Sequence, residues 1–97
     1  MLNLTDALKL YDILKDHLPV DATNLTAFHY AGKILDSIIT KETHEDYLDA
    51  VALMNKCEID DLIQNDVSEV FAAFIDGLIE NEILEIKNFC EKVGYHG

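Results

Sequence analysis

The chain has 97 residues, of which 49% are hydrophobic, and its 7 lysines and 19 acidic residues give a formal net charge of −12. This length suits one domain with a modest core, and the hydrophobic content is too high for intrinsic disorder. The charge disfavours nucleic acids and anionic membrane surfaces as partners, because both attract clustered cations and the chain contains no arginine.

The sequence also lacks the marks of a membrane-spanning or exported protein. No apolar run approaches about 18 residues, the length needed to cross a bilayer. The opening segment MLNLTDALKLYD has early acids and lacks the basic start and small-residue cleavage site of a signal peptide. We therefore expect an intracellular protein with no membrane partner.

Apolar residues recur at helical spacing along most of the chain, and strand-like alternation is almost absent. The first predicted helix has its N-cap at Asn3 or Thr5 and ends before Pro19. Its apolar stripe consists of Leu4, Ala7, Leu8, Tyr11, Leu14 and Leu18. A second helix is predicted over roughly residues 23–39, with the apolar face Leu25, Phe28, Ala31 or Gly32, Leu35, Ile38 and Ile39.

Two more helices are predicted in the middle of the chain. Thr43 followed by Asp46 resembles a capping box and predicts a third helix that continues through Met54. A short fourth helix over residues 58–65 is predicted to bury three apolar residues: Ile59, Leu62 and Ile63.

The last two predicted helices are separated by a single short break. Asp66 reads as the N-cap of a helix over residues 67–80, and Asn81 is expected to end it in a left-handed conformation. The final helix runs to Val93, with Gly94 after its end. Together these patterns predict an all-α fold, a small bundle of about five to six short helices that forms one domain over residues 1–97.

No segment carries a catalytic or metal-binding motif. The four histidines are scattered, without an HExxH or Cys–His cluster, and the distant Cys57 and Cys90 are expected to be free thiols. No window fits a calcium loop, and Gly32 and Gly77 lie inside helical patterns, where they are expected to allow close helix packing. We therefore predict neither enzymatic activity nor a cofactor.

The remaining feature is apolar surface on the last two helices. The adjacent pairs Leu78-Ile79 and Ile83-Leu84 widen each apolar stripe, so one member of each pair should face the core and the other a partner. The predicted partner-contact positions are Ile79, Ile83, Ile86 and Phe89. The predicted acidic rim around them consists of Asp76, Glu80, Glu82 and Glu85. Such a surface suits a partner helix that is apolar on one face and basic on the other.

The run IDDLIQNDVSEVFAAFIDGLIENEILEIKNFCEKVGY, residues 59–95, resembles the C-terminal half of short tail assembly chaperones of long-tailed bacteriophages and prophages. The similarity lies in a DLI helix, an acid-capped helix ending F-x-x-GL-x-x-N, and a closing helix ending F-x-x-x-x-GY. The opening LYDIL-x-x-x-LP, residues 10–19, is also similar. The resemblance covers roughly half of the chain, and residues 20–55 contribute nothing to it.

The resemblance implies a non-enzymatic helical protein that binds the tape-measure protein and keeps this long chain from aggregating. It also implies that tail-tube protein subunits assemble around the covered chain in the cytoplasm of the bacterial host. The chaperone is then expected to leave before the virion is complete.

Two other classes of function fit the same composition. A small acidic adaptor or inhibitor would bind one folded protein partner one-to-one, whereas a chaperone would cover an extended helical partner at high stoichiometry. A small enzyme or ligand-binding bundle would need a deep pocket with convergent polar groups.

Overall fold

The computed structural model describes residues 2–21 and 24–95, which form six α-helices, one short 3-10 helix and no strand. Helix α1 spans Leu4–Leu14 and continues into the 3-10 turn Lys15–His17. The other helices are α2 (Ala27–Ile38), α3 (His44–Asn55), α4 (Ile59–Leu62), α5 (Val67–Glu80) and α6 (Ile83–Val93). The predicted all-α bundle of short helices is confirmed.

Helix α3 is central to the packing, because it contacts α1, α2, α4 and α5, while α5 also contacts α2 and α1 also contacts α6. The buried residues of α5 are Val70, Phe74, Gly77 and Leu78. Gly77 allows α3 to approach closely, since a Cβ atom there would lie 2.9 Å from Cε of Met54. Gly32 has no such role, because a Cβ atom there would meet nothing within 4 Å.

Some predicted core faces are wrong. The fully buried residues of α1 are Leu10 and Leu14, whereas Leu4 is exposed. In α2 the buried set is Tyr30, Ala31, Ile34 and Ile38, and the predicted core residue Phe28 is 63% exposed. In α4 only Leu62 is buried, because a helix of one turn covers the core with one side only.

Side-chain caps begin α1 and α2, whereas α3, α5 and α6 begin without a capping side-chain bond. Asn3 is the N-cap of α1, where its Oδ1 accepts a hydrogen bond from the Asp6 N–H at 2.8 Å. Helix α2 begins later than predicted, with Thr26 as the N-cap, and residue 23 lies outside the described residues. Thr43 does not form the predicted capping box, because its hydroxyl donates instead to the Ile38 carbonyl at 2.7 Å. This bond ties the end of α2 to the start of α3.

Helix α5 has the predicted bounds, but the turn after it is built differently from the prediction. Asn81 keeps an ordinary backbone conformation with φ −91°, and Glu82 takes the left-handed one with φ 52°. Asn81 is buried, and its Nδ2 donates to the Gly77 carbonyl at 2.8 Å. Its Oδ1 accepts from the Leu2 N–H at 3.0 Å. The side chain of Asn81 therefore joins the end of α5 to the segment ahead of α1.

Helices α1 and α6 lie side by side and run parallel. The bond between Leu2 and Asn81 joins their starts, and the Tyr95 hydroxyl donates to Asp12 Oδ2 at 3.0 Å near their ends. Gly94 ends α6 in the left-handed region, as predicted, with bonds from Gly94 N–H to the Glu91 carbonyl and from Tyr95 N–H to the Cys90 carbonyl. This arrangement holds Tyr95 against α1.

We expect replacement of Asn81 by alanine to lower the free energy of unfolding by about 1–3 kcal/mol, because two side-chain hydrogen bonds of about 0.5–1.5 kcal/mol each are lost. Glu82→Gly should raise it by about 0.5–1 kcal/mol, since glycine adopts the left-handed conformation without strain. Urea unfolding of both variants measures these effects. Equal stability of Asn81→Ala and the unaltered protein would contradict this role of Asn81.

Candidate functional site

Two apolar grooves flank the start of α6. The first, called the α2 groove, encloses about 260 Å³ between the start of α2 and the turn from α5 to α6. Its main apolar lining residues are Leu25, Tyr30, Leu78, Ile79, Ile83 and Leu84. The second, called the α1 groove, encloses about 200 Å³ between α1 and α6. Its main apolar lining residues are Leu2, Leu4, Leu8, Ile86 and Phe89. The two grooves together are called the α6 surface.

The four predicted contact positions divide between the grooves. Ile79 is half-buried in the α2 groove, while Ile86 and Phe89 line the α1 groove, where Phe89 is 44% exposed. Ile83 is only 4% exposed, so its assignment as an available contact residue is wrong. Its neighbour Leu84 is half-buried in the α2 groove and takes the outer position instead.

The expected division of each adjacent pair is therefore present. Leu78 and Ile83 are the buried members, and Ile79 and Leu84 are the outer members. Contact of the outer members with a partner remains a prediction.

The predicted acidic rim is present in part. Glu82 and Glu85 are exposed and line both grooves, so two carboxylates lie on the ridge between them. Asp76 and Glu80 are exposed on α5 but line neither groove. The carboxylates of the predicted rim that line the two grooves are thus those at the start of α6.

The segment that contains α4, α5 and the start of α6 carries only negative charge. Residues 57–86 contain nine acidic residues and no lysine or arginine. The next cation, Lys87, forms an ion pair with Glu91 at 2.6 Å. An apolar groove in so negative an environment attracts cationic flanks and repels anionic ones.

The groove-lining residues that were not predicted from the sequence lie mainly outside α6, on the walls that other parts of the chain form. Leu4 and Leu8 were assigned to the core stripe of α1, but both line the α1 groove. Leu2 was not predicted, and Leu84 was named as one member of an adjacent pair but not as a contact position. Leu4 and Leu8 are four residues apart and fit a single buried stripe, so their spacing could not place them on a groove wall.

The polar groups that sequence analysis considered for chemistry do not converge. His17, His29 and His44 belong to three different segments, and His96 lies outside the described residues. Within residues 2–21 and 24–95, no group of three or more His, Cys, Asp or Glu side chains could hold a metal ion. Cys57 is half-buried, Cys90 is buried, and both are free thiols.

No helix within the described part of the chain combines the length and the apolar character needed to span a bilayer. Comparisons of the chain with models of protein families, with curated proteins and with solved structures found no match.

Two buried tyrosines lie at the bases of apolar grooves. Tyr30 lines the α2 groove, and Tyr47 lines a further groove beside α4; neither hydroxyl has a hydrogen-bond partner. Burial raises the pKa of Tyr47 to about 12. Burial, with smaller effects of Glu91 and Tyr11, raises the pKa of Tyr30 to about 12. Both phenols therefore stay neutral well above the usual tyrosine pKa of about 10.

We expect the free energy of unfolding to fall as the pH rises above about 10, the pKa of tyrosine in the unfolded chain. Between about pH 10 and 12 the folded state keeps phenolic protons that the unfolded state loses, so raising the pH favours unfolding. Urea unfolding at increasing pH measures this slope.

The double replacement Tyr30→Phe and Tyr47→Phe should flatten the slope. It should cost little stability at neutral pH, because neither hydroxyl loses a hydrogen bond. An unchanged slope in this variant would show that other groups cause the alkaline instability.

Proposed function

We propose that this protein is a tail assembly chaperone of a long-tailed bacteriophage or prophage, and that it holds helical segments of the tape-measure protein on the α6 surface. The observation that carries the proposal is the pair of apolar grooves with Glu82 and Glu85 on the ridge between them. This surface complements an amphipathic helix with basic flanks. The resemblance of residues 59–95 to tail assembly chaperones supplies the identity of the partner.

The physical task of such a chaperone fits these features. A long helical chain with apolar seams associates with itself unless the seams are covered. The α6 surface offers apolar cover, and the net charge of −12 keeps the covered complexes apart and soluble. Under this proposal the protein is not an enzyme, acts in the host cytoplasm while tail-tube protein assembles, and is absent from the finished virion.

We expect Phe89→Lys to weaken binding of a tape-measure segment by about 30-fold, because loss of an aromatic contact residue at an interface costs about 2 kcal/mol or more. In co-expression the segment should then become insoluble. The measurements are the affinity of the purified proteins and the soluble fraction of the segment.

Phe28→Lys is the matched control, because Phe28 is also exposed but lines neither groove. Both variants should unfold at nearly the same temperature as the unaltered protein, since exposed substitutions change stability by about 0.5 kcal/mol or less. Equal loss of binding in both variants, or loss of binding only with loss of folding, would refute the α6 surface as the site. One-to-one binding to a folded protein would favour the alternative of an acidic adaptor.

We also expect affinity for the tape-measure segment to fall several-fold between about 0.1 M and 1 M salt, as the Debye length shortens from about 10 Å to 3 Å. The double replacement of Glu82 and Glu85 by glutamine should remove most of this salt dependence. Replacement of Asp76 by asparagine and Glu80 by glutamine makes the same charge change outside the grooves and should preserve it. Identical salt profiles for both double variants would exclude a local role of the ridge carboxylates.

A further inference from the structure

A third apolar groove lies on another flank of α5. This α4 groove encloses about 290 Å³ between α3, α4 and the first turns of α5. Its main apolar lining residues are Tyr47, Leu48, Leu62, Ile63, Val67 and Phe71. It shares no lining residue with the α6 surface.

The α4 groove exposes large apolar side chains above a fixed floor. Ile63 is 66% exposed and Val67 is 70% exposed, and Phe71 is exposed beside them. On the floor, the Tyr47 ring lies 6.1 Å from the Phe71 ring and 5.1 Å from the ring of the core residue Phe74. Core packing therefore fixes the floor of the groove, as in a preformed binding site, and large exposed apolar side chains are available around it.

The charges near the α4 groove indicate what kind of partner can bind there. Four exposed acidic residues lie in the adjoining segments: Asp60, Asp61, Asp66 and Glu69. The absence of lysine and arginine from residues 57–86 leaves these carboxylates without a cation in their own segment. A second copy of this chain would bring like charges together, whereas a helix with an apolar face and basic flanks would neutralise them.

The positions of the grooves along α5 prevent one straight helix from filling both sites. Val67 of the α4 groove and Ile79 of the α2 groove are twelve residues apart in the same helix. At 1.5 Å and 100° per residue, they are separated by about 18 Å along the axis and about 120° around it. Two separate helical segments are needed to occupy both places.

We infer that the α4 groove is a second docking site for a basic amphipathic helix, so that one chaperone molecule holds two helical segments of its partner at once. This inference rests on the proposed function, because it assigns the second site to the same class of partner. Engagement of two segments of one long chain multiplies the affinity through the high effective concentration of the second segment.

The test uses the full chain and a synthetic amphipathic helix of about 20 residues, long enough to be helical, with leucine on one face and lysine on its flanks. Calorimetric titration should give about two peptides per chain for the unaltered protein. Val67→Lys and Ile63→Lys should each reduce this to about one, and Phe89→Lys should also leave about one. Val20→Lys, a matched change at an exposed valine outside the three grooves, should retain about two.

The outcomes separate this inference from the proposed function. One peptide per chain, lost in Phe89→Lys but kept in Val67→Lys and Ile63→Lys, would overturn the second site and leave the α6 surface intact. One peptide per chain, lost in both α4-groove variants only, would overturn the α6 surface and the simultaneous holding of two segments. Two peptides per chain in both α4-groove variants would overturn the α4 groove as a site.

Sedimentation of the protein without peptide completes the test. A monomer is expected for the unaltered chain and for all variants. A dimer that Val67→Lys dissociates would overturn the inference, because the occupant of the α4 groove would then be a second copy of the chain.

Discussion

The side chain of Asn81 connects the parts of the molecule on which the grooves depend. Its amide donates to the Gly77 carbonyl in the last turns of α5 and accepts from the Leu2 N–H ahead of α1. The first of these bonds is buried and the second is partly buried, and together they hold the segment ahead of α1 against the end of α5. Leu2 and Asn81 both line the α1 groove, so the bond between them helps to place its walls. A polar residue inside the core thus shapes the apolar surface outside it.

Local patterns predicted those elements whose boundaries are decided locally. The bounds of α5 were predicted from Asp66 and the apolar spacing after it, although the Asp66 side chain makes no capping bond. Asn3 was one of the two caps predicted for α1, and Gly94 was predicted to follow the end of α6. The helical content of the fold followed from the same spacing. These features depend on backbone conformation and on contacts within about one helical turn.

The incorrect predictions concern residues whose environment is set by distant parts of the chain. Asn81 was expected to adopt the left-handed conformation because of its residue type, but its side chain bonds to Leu2, and Glu82 adopts that conformation instead. Ile83 and Leu84 were assigned to the wrong sides, because the angle of the preceding turn decides which neighbour points inward. Ile63 was expected in the core on hydrophobicity alone, yet the single turn of α4 cannot bury it. Such tertiary constraints cannot be inferred from the spacing of neighbouring residues.

The size of the grooves bears on how firmly a partner is held. Each groove has a volume of about 200–290 Å³, which is below the range of about 300–1,000 Å³ typical of small-molecule sites. Such grooves accept a few side chains of a helix and not a whole buried ligand. Contacts of this kind bind strongly only when they are repeated along a partner chain, and they can be released one segment at a time, which is what the proposed function requires.

The parallel pairing of α1 and α6 also has a consequence for the order of folding. The bonds from Leu2 to Asn81 and from Tyr95 to Asp12 close loops of about eighty residues, since their partners are 79 and 83 positions apart. Closing so long a loop has a larger entropic cost than forming the contacts between neighbouring helices. The pairing is therefore expected late in folding, and its separation is a natural first step of partial unfolding. On the ribosome, the α1 groove cannot form until Phe89, which lines it, has been synthesised.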